Sequence, residues 1–255
     1  MTLQSLDALL LDVVDLQEQD RIVTFLTAER GKKRGVARGA RRKHSRFAGQ
    51  LQPLAKARIT WFERPTSDLV RIRSLELVRP ATFLHADLEG LLLGAYLADH
   101  MLEFAQDNEA SHELFRLLDT TLEALAAGVD RDLAGRYYEL WVLRLAGVFP
   151  SVGECLGCGG DLAPGAVLPA AAEALMCRRC GAAGLALGPE VVELLRRSGR
   201  ENLESLRRRP PAGRTLEVVA ELSTRVRRSF LQHELKSCRV IRETLAGLPP
   251  ELTPG

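Results

Sequence analysis

Two pairs of cysteines constrain the fold of this chain more than any other feature of its sequence. Cys155 and Cys158 form one C-x2-C pair, Cys177 and Cys180 form a second, and eighteen residues separate the two pairs. This spacing is typical of two tight turns that face each other and hold one tetrahedral zinc ion between four thiolates. The sequence therefore predicts one structural Zn2+ and a zinc-finger insert over about 151–185.

Two disulfide bonds are the alternative use of these four cysteines. Disulfides persist in oxidising compartments, and a chain of 255 residues with 46% apolar residues can bury a core without them. Four protein ligands leave zinc no position for an activated water, so we expect the metal to order the insert and not to catalyse. Gly159 and Gly181, which follow the two pairs, can adopt a left-handed backbone. The fifth cysteine, Cys238, is predicted to be a small buried hydrophobic residue.

Charge and hydropathy favour a cytosolic protein. Eighteen apolar residues never follow one another without a charge, and the first sixteen residues carry acids where a signal peptide has a basic start. The formal net charge is only +2, and four zinc-bound thiolates would bring the sum to about zero. Function must therefore depend on where the charges lie and not on their total.

One segment concentrates positive charge. Residues 30–46, RGKKRGVARGARRKHSR, hold nine lysines and arginines and no acid. Such a run is typical of a surface that neutralises phosphates and releases their counterions, so nucleic acid is the expected partner. Gly31, Gly35 and Gly39 suit an extended segment whose backbone could approach a ligand closely. The alternative is a solvated, partly disordered loop.

The first eighty residues have the pattern of short strands. Apolar runs at 8–16 and 22–26 are followed by period-two alternation at 57–61 and 70–73. The turn formers of 63–68 predict a hairpin connection between the last two of these strands. About five strands in eighty residues indicate a small closed barrel, for which we predict an OB fold; an SH3-like barrel is the alternative.

Beyond Pro80 the apolar residues repeat with helical period. We predict an all-helical domain over 81–255, interrupted by the zinc-finger insert, after an OB-fold DNA-binding domain over 1–80. The overall fold class is thus α+β with two domains. Helices are predicted over 84–102, 114–125, 132–147, 188–199 and, as one long amphipathic helix, 216–245.

Motifs for catalysis are absent from the sequence. It has no G-x4-G-K-[ST] phosphate loop, no H-E-x-x-H motif and no nucleophile elbow. A base deaminase would need H-x-E and a proline directly before its C-x-x-C, and neither pair offers them. We therefore expect a protein that is not an enzyme and that uses no ATP.

Three segments together resemble the RecO recombination-mediator family of bacterial DNA repair. The first is EQDRI, FLT and GKKRGVARGARRKHSRFAGQLQPL near the N-terminus. The second is RYYELWVLRLAGVFPSVGECLGCGG, a helix that leads into the first cysteine pair, and the third is RSFLQHELKSCRVIRETL. The resemblance extends over nearly the full chain, and its segments follow the family's order.

The resemblance implies an N-terminal OB barrel, a helical domain with a zinc insert, and binding of single- and double-stranded DNA. It also implies annealing of complementary strands and, with the RecR protein, help for RecA in displacing single-strand-binding protein. Some members lack the cysteines, so the metal is not the shared activity. DNA contact is transferred by resemblance to Lys32, Lys33, Arg34, Arg38, Arg41, Arg42, Lys43 and Arg46.

Two other functions remain as alternatives from the sequence. In the first, the chain is a zinc-containing adaptor whose helical domain docks proteins, and the basic run is incidental. In the second, it is a zinc-dependent hydrolase, which would require an open position on the metal. The expected site is a DNA-binding barrel in a protein that acts in the cytoplasm, at the nucleoid.

Overall fold

The computed structural model describes residues 2–63, 67–181 and 183–247. Its contacts divide the chain into two compact units. The first combines Met1–Leu122 with Leu235–Gly255, and the second is Glu123–Glu234.

Five strands of the first unit form a closed barrel. They are β1 (Thr2–Leu16), β2 (Asp20–Thr27), β3 (Gly31–Ala37), β4 (Lys56–Glu63) and β5 (Leu69–Arg79). The order around the barrel is β1-β2-β3-β5-β4, and β4 pairs back to β1. All pairs are antiparallel except β3 with β5, which is parallel. The prediction of strands followed by helices is confirmed.

The barrel closes because alternate residues of β1, β2, β4 and β5 are apolar and meet inside it, joined by Ala37 of β3. Phe25 of β2 and Trp61 of β4 are both fully buried and pack edge to face, with ring centroids 5.4 Å apart. The interior consists of Ala8, Leu10, Val23, Phe25, Ala37, Ala40, Phe47, Leu51, Ala57, Ile59, Trp61, Val70, Ile72 and Leu75. β4 and β5 pair as the predicted hairpin requires, although residues 64–66 of its connection lie outside the described residues.

The glycines of the basic run serve the barrel itself. Gly31 has φ +60°, and a Cβ there would lie 1.8 Å from the carbonyl oxygen of Glu109. A Cβ on Gly35 would lie 2.8 Å from Cγ1 of Ile72 inside the barrel. These two glycines therefore permit close approach of other parts of the protein. The expectation that they open the backbone to a ligand finds no support at either position.

Two helices of the first unit are joined by a buried cap. α1 (Leu88–Phe104) begins where Asp87 accepts a hydrogen bond from the Gly90 N–H, and α7 (Lys236–Gly247) packs against it. Asp99 of α1 is buried and accepts hydrogen bonds from both N–H and Oγ of Ser237, at 2.8 Å each. Asp99 thus satisfies a free N–H at the start of α7.

α2 (His112–Ala126) starts in the first unit and ends in the second. Asp119 of α2 accepts hydrogen bonds from Nζ of Lys56 at 2.6 Å and from Nη2 of Arg79 at 2.7 Å. One largely buried carboxylate thereby ties the helix to β4 and β5. Gly128, just after the helix, has φ +77° and ends it close to the predicted end at residue 125.

The second unit contains four further helices and a small sheet. They are α3 (Arg131–Leu145), α4 (Pro189–Ser198), α5 (Leu203–Arg208) and α6 (Gly213–Leu231). The sheet pairs β6 (Ala166–Leu168) with β7 (Leu185–Leu187). Helix α4 starts after Gly188 and ends before Gly199, as the proline and the two glycines predict.

The prediction of one helix over 216–245 is wrong. Gln232 ends α6 with φ 62°, in the left-handed region, and the chain resumes as α7 at Lys236. The division has a physical reason, because α6 packs against α3 and α4 whereas α7 packs against α1. The helix α5 was missed by the sequence analysis.

Candidate nucleic-acid interface and metal centre

The basic run covers strand β3 and the turns that follow it. Six of its eight predicted DNA-contact residues are exposed. Arg34 projects from the outside of β3, between the buried positions Lys33 and Gly35. The other exposed cations lie in the turns after the strand: Arg38, Arg41, Arg42, Lys43 and Arg46.

These turns are ordered by the protein. The N–H of Gly39 donates to the Asp20 carboxylate at 2.7 Å, and the N–H of Arg41 donates to the carbonyl of Gln19 at 3.0 Å. Phe47, just beyond the run, is 2% exposed and belongs to the barrel interior. The alternative of a partly disordered loop is therefore not supported.

Lys32 and Lys33 are held inside the first unit. The ammonium group of Lys33 pairs with the Glu63 carboxylate, and its side chain is only 4% exposed. That of Lys32 donates to the Leu102 carbonyl and lies 3.4 Å from the Asp107 carboxylate. A phosphate would have to displace these partners, and the desolvated Lys33 is out of its reach. The burial argues against the transferred DNA contact at Lys33 and weakens it at Lys32.

Three of the exposed arginines also contact neighbouring groups. Arg41 lies 3.4 Å from the Asp15 carboxylate, Nε of Arg42 donates to Oε1 of Gln19 at 2.7 Å, and Arg46 lies over the Phe47 ring. These contacts are at the surface, where they contribute little energy and can be exchanged for phosphate oxygens. They limit the rotamers of the arginines while leaving the charges in contact with solvent.

Two arginines on the neighbouring strand were missed by the sequence analysis. Arg71 and Arg73 are exposed on β5, and the parallel pairing of β3 with β5 places Arg71 beside Val36. The alternation at 70–73 predicts that both arginines face outward. Only the pairing shows that their strand lies beside that of Arg34, with Leu69 opposite Arg34 and Arg71 two residues further along. We call the exposed set the cationic strip: Arg34, Arg38, Arg41, Arg42, Lys43, Arg46, Arg71 and Arg73.

The four cysteines lie together in the second unit. Their sulfur atoms all fall within 4.8 Å of one another, and Sγ of Cys158 is 3.9 Å from Sγ of Cys177. Four sulfurs at about 2.3 Å from one zinc ion in a tetrahedron would be about 3.8 Å apart. The cluster therefore has the size of a four-thiolate metal site.

The backbone around the cluster folds closely onto the sulfurs. The N–H of Cys177 donates to Sγ of Cys155 at 3.2 Å. Gly159 has φ +69°, as predicted, and its N–H donates to the Cys155 carbonyl at 2.8 Å. Gly181 makes the equivalent bond to Cys177 without a positive φ, so the left-handed conformation is needed in the first turn alone.

The thiols affect one another's ionisation. The hydrogen bond from the Cys177 N–H lowers the pKa of Cys155 to about 6. The contact with Cys158 raises the pKa of Cys180 to about 12. Four thiolates this close together repel one another unless a cation lies between them. The donor set thus fits a divalent metal ion that prefers sulfur.

Arg179, between the two cysteines of the second pair, helps to balance this charge. Its contact with the Cys158 sulfur raises the pKa of the guanidinium above its ordinary value. A cation in contact with the cluster offsets part of the negative charge of its thiolates. The residues around the cluster, 151–187, form a segment that we call the cysteine lobe.

Comparison with known proteins identifies the family. The model for the N-terminal domain of recombination protein O matches residues 1–81, and that for its C-terminal domain matches residues 85–238. The chain belongs to the RecO family. The resemblance inferred from the sequence is confirmed, and the protein is a DNA repair protein of that family.

Several curated relatives support the same assignment. DNA repair protein RecO of Anaeromyxobacter sp. (strain K) is 36% identical over 254 residues, which cover 97% of each chain. That of Geobacter metallireducens is 33% identical over 198 residues, 75% of this chain and 78% of the relative. That of Exiguobacterium sp. is 27% identical over 244 residues, 95% and 97% of the two chains. Among the described residues, no helix of this RecO protein has the length and hydropathy to span a membrane.

Proposed function

We propose that this RecO protein binds single- and double-stranded DNA on the cationic strip and anneals complementary strands without ATP. With RecR, it helps RecA to load onto DNA coated by single-strand-binding protein. The observation that carries the proposal is the set of exposed arginines on the paired strands β3 and β5, where Arg71 lies two residues along β5 from the partner of Arg34. Like charges on adjacent strands are unfavourable by themselves and are stabilised by a bound polyanion.

The barrel topology supports an OB fold. Five strands close in the order β1-β2-β3-β5-β4, and the single parallel pair joins β3 to β5. The OB fold is likewise a five-stranded Greek-key barrel, and it binds oligonucleotides on the face of its second and third strands. In this protein the third strand carries Arg34 on that face. The proposal includes two domains, a DNA-binding domain over 1–80 and a helical domain over 81–255.

Annealing would follow from charge neutralisation. Two complementary strands repel each other through their phosphates, and a strip of guanidinium groups lowers that repulsion when both strands are bound. Arginines on phosphates carry little base information, so sequence preference would be weak. If about five cations contact single-stranded DNA, the slope of log affinity against log salt would be about −3.5.

The cysteine lobe would hold one structural zinc ion through Cys155, Cys158, Cys177 and Cys180. The four sulfurs have the spacing of a closed site, so the ion would cross-link the two turns and leave no position for substrate. Arg179 would remain beside Cys158 and balance part of the charge. This role does not require the metal to touch DNA.

The partner contacts belong to the same proposal. RecR and the tail of single-strand-binding protein are the expected protein partners, RecA is the functional partner, and the helical domain is the expected docking region for the tail. The place of action would be the cytoplasm, at the nucleoid.

The direct test is annealing of complementary oligonucleotides, bare and coated with single-strand-binding protein, across a salt titration without ATP. We expect wild-type annealing to be fastest at low salt. We expect no annealing by the triple variant Arg38→Ala, Arg41→Ala and Arg42→Ala. A triple alanine variant of Arg208, Arg225 and Arg228, exposed in the second unit, removes the same charge and serves as control. Equal annealing by both variants would reject the strip as the DNA-binding surface.

A further inference from the structure

A second group of arginines lies in the second unit, apart from the cationic strip. Arg144 of α3, Arg196 at the end of α4 and Arg200 just after it line a cavity of about 490 Å³. The remaining lining residues are Val152, Gly153, Leu195 and Gly199. Three guanidinium groups thus surround a space whose lining contains no acid. We call it the arginine pocket.

Arg144 has no carboxylate partner among the residues that the structure describes. Its Nη2 donates to the Leu195 carbonyl at 2.7 Å and to Oγ of Ser198 at 3.1 Å, while its Nη1 is buried and makes no hydrogen bond among the described residues. Cζ of the guanidinium lies 5.4 Å from the centroid of the Trp141 ring and 5.1 Å from that of Phe149. Burial lowers the pKa of Arg144 to about 10.

A structural role accounts for only part of this arrangement. Arg144 donates to the Leu195 carbonyl in the last turn of α4, where a cation is favourable, and this contact helps to end the helix. It leaves one buried donor of a full positive charge unpaired, and such a donor is costly. The side chain of Arg200 is exposed, and its guanidinium forms no hydrogen bond or ion pair among the described residues.

Arg196 and Gly199 also line the pocket, and they affect it differently. Arg196 is already engaged by the Asp161 carboxylate and by the carbonyls of Val152 and Gly153. Arg196 therefore forms part of the pocket wall and contributes positive electrostatic potential, but it has little free hydrogen-bonding capacity for a ligand. Gly199 has φ −86°, which any residue can adopt, but a Cβ there would lie 3.8 Å from Cζ of Arg144. That is ordinary van der Waals distance, so a methyl group would fit at position 199, whereas a longer side chain would cover the Arg144 guanidinium.

We propose that the arginine pocket binds a phosphate group, either free or carried by a nucleotide or a nucleic-acid end. Guanidinium groups match the several oxygens of a phosphate, which can accept hydrogen bonds from more than one arginine at once. A single carboxylate is planar and is satisfied by one arginine, whereas this pocket presents three cations around a volume far larger than a carboxylate. The site lies in the second unit and goes beyond the function proposed for the barrel.

The test is calorimetric titration of the full chain at constant ionic strength with inorganic phosphate, pyrophosphate and a 5′-phosphorylated dinucleotide. A dinucleotide with a 5′-hydroxyl is the matched control ligand. We expect pyrophosphate to bind and to be displaced by inorganic phosphate. Displacement by the phosphorylated dinucleotide would place the group on a nucleic-acid end, and failure of that displacement would identify free phosphate as the ligand.

Two variants connect binding to the pocket without removing Arg144, whose loss could unfold the unit. Arg200→Ala should weaken pyrophosphate binding about tenfold, the effect of one charge-assisted contact. Gly199→Glu should abolish binding, because its carboxylate would occupy the guanidinium. Arg208→Ala, an exposed arginine outside the pocket, should bind as the wild type does, and so should the variant of Arg38, Arg41 and Arg42.

The proposal is overturned if none of the phosphate probes binds across a millimolar range. It is also overturned if Arg200→Ala and Gly199→Glu both bind pyrophosphate as Arg208→Ala does, or if an acidic peptide binds the pocket and phosphate does not compete. Because the readout is phosphate binding by the second unit, its failure leaves the DNA-binding proposal for the barrel untouched.

Discussion

The barrel and the cysteine lobe reach order in opposite ways. The barrel encloses fourteen buried residues with Phe25, Phe47 and Trp61 among them. The lobe has no aromatic residue and pairs two strands of only three residues each. A core of that size cannot offset the conformational entropy of its chain, so the lobe needs a cross-link. In the barrel, then, the apolar interior stabilises the fold and the surface residues are available for function. In the lobe, the four cysteines themselves stabilise the fold.

Loss of the metal should give the largest effect. Zinc binding contributes about 10 to 16 kcal/mol in small zinc-finger peptides, so Cys155→Ser should release the metal and expose the lobe to proteolysis. DNA binding by the barrel should stay as in the wild type. Limited proteolysis with mass spectrometry, together with metal content, measures this effect.

Cys238→Ser is the control for that experiment, because Cys238 lies outside the four-sulfur cluster. Proteolysis of the lobe that is the same in Cys155→Ser and in Cys238→Ser would show that the cysteines do not order it. Loss of DNA binding along with the metal would remove the contrast between the two regions.

Removal of three charges from the cationic strip should give the next largest effect. Each phosphate contact on single-stranded DNA contributes about 0.7 to the salt slope, so alanine at Arg38, Arg41 and Arg42 should make it shallower by about 2. The fold should persist, because these side chains lie at the surface. Fluorescence anisotropy of a labelled oligonucleotide at several salt concentrations measures the slope, and circular dichroism checks the fold.

The arginines of β5 should have a smaller effect of the same kind. Arg71→Ala with Arg73→Ala should make the slope shallower by about 1.4 if both contact phosphates. An unchanged slope would confine DNA to the turns after β3 and would separate them from the strand face. The outward position of both arginines makes a change in the barrel interior unexpected.

Lys33 should have the smallest effect on DNA. Because its ammonium group is buried against Glu63, Lys33→Met should leave the salt slope as it is. It should lower thermal stability, since the Glu63 carboxylate would lose its partner. A slope shallower by the value of one contact would show that Lys33 reaches phosphate after all.

Local chemistry made part of this structure predictable. The start of α4 at Gly188-Pro189 and the clustering of the two C-x2-C pairs can each be predicted from a few neighbouring residues. The outward position of Arg71 also followed from alternation along one strand. The inward position of Lys33 could have been predicted in the same way, since it alternates with Gly31, Gly35 and Ala37 on the inner side of β3.

Other features depend on contacts between distant parts of the chain. The parallel pairing that brings Arg71 beside β3 is invisible along the sequence, because the strands are separated by β4. The break at Gln232 carries no glycine or proline. It results from the packing of α7 against α1, and from the cap that Asp99 gives to Ser237, a residue 138 positions away. The apolar residues keep a helical period across that break, so the sequence predicts one helix where the structure has two.

The salt dependence of wild-type binding to single-stranded DNA tests the central claim most directly. An electrostatic grip by about five exposed cations predicts that affinity falls about a hundredfold between 50 and 200 mM salt. It also predicts that binding is strong in dilute buffer. Binding that ignores salt, or no binding at the lowest salt, would contradict a barrel that holds DNA through its surface arginines.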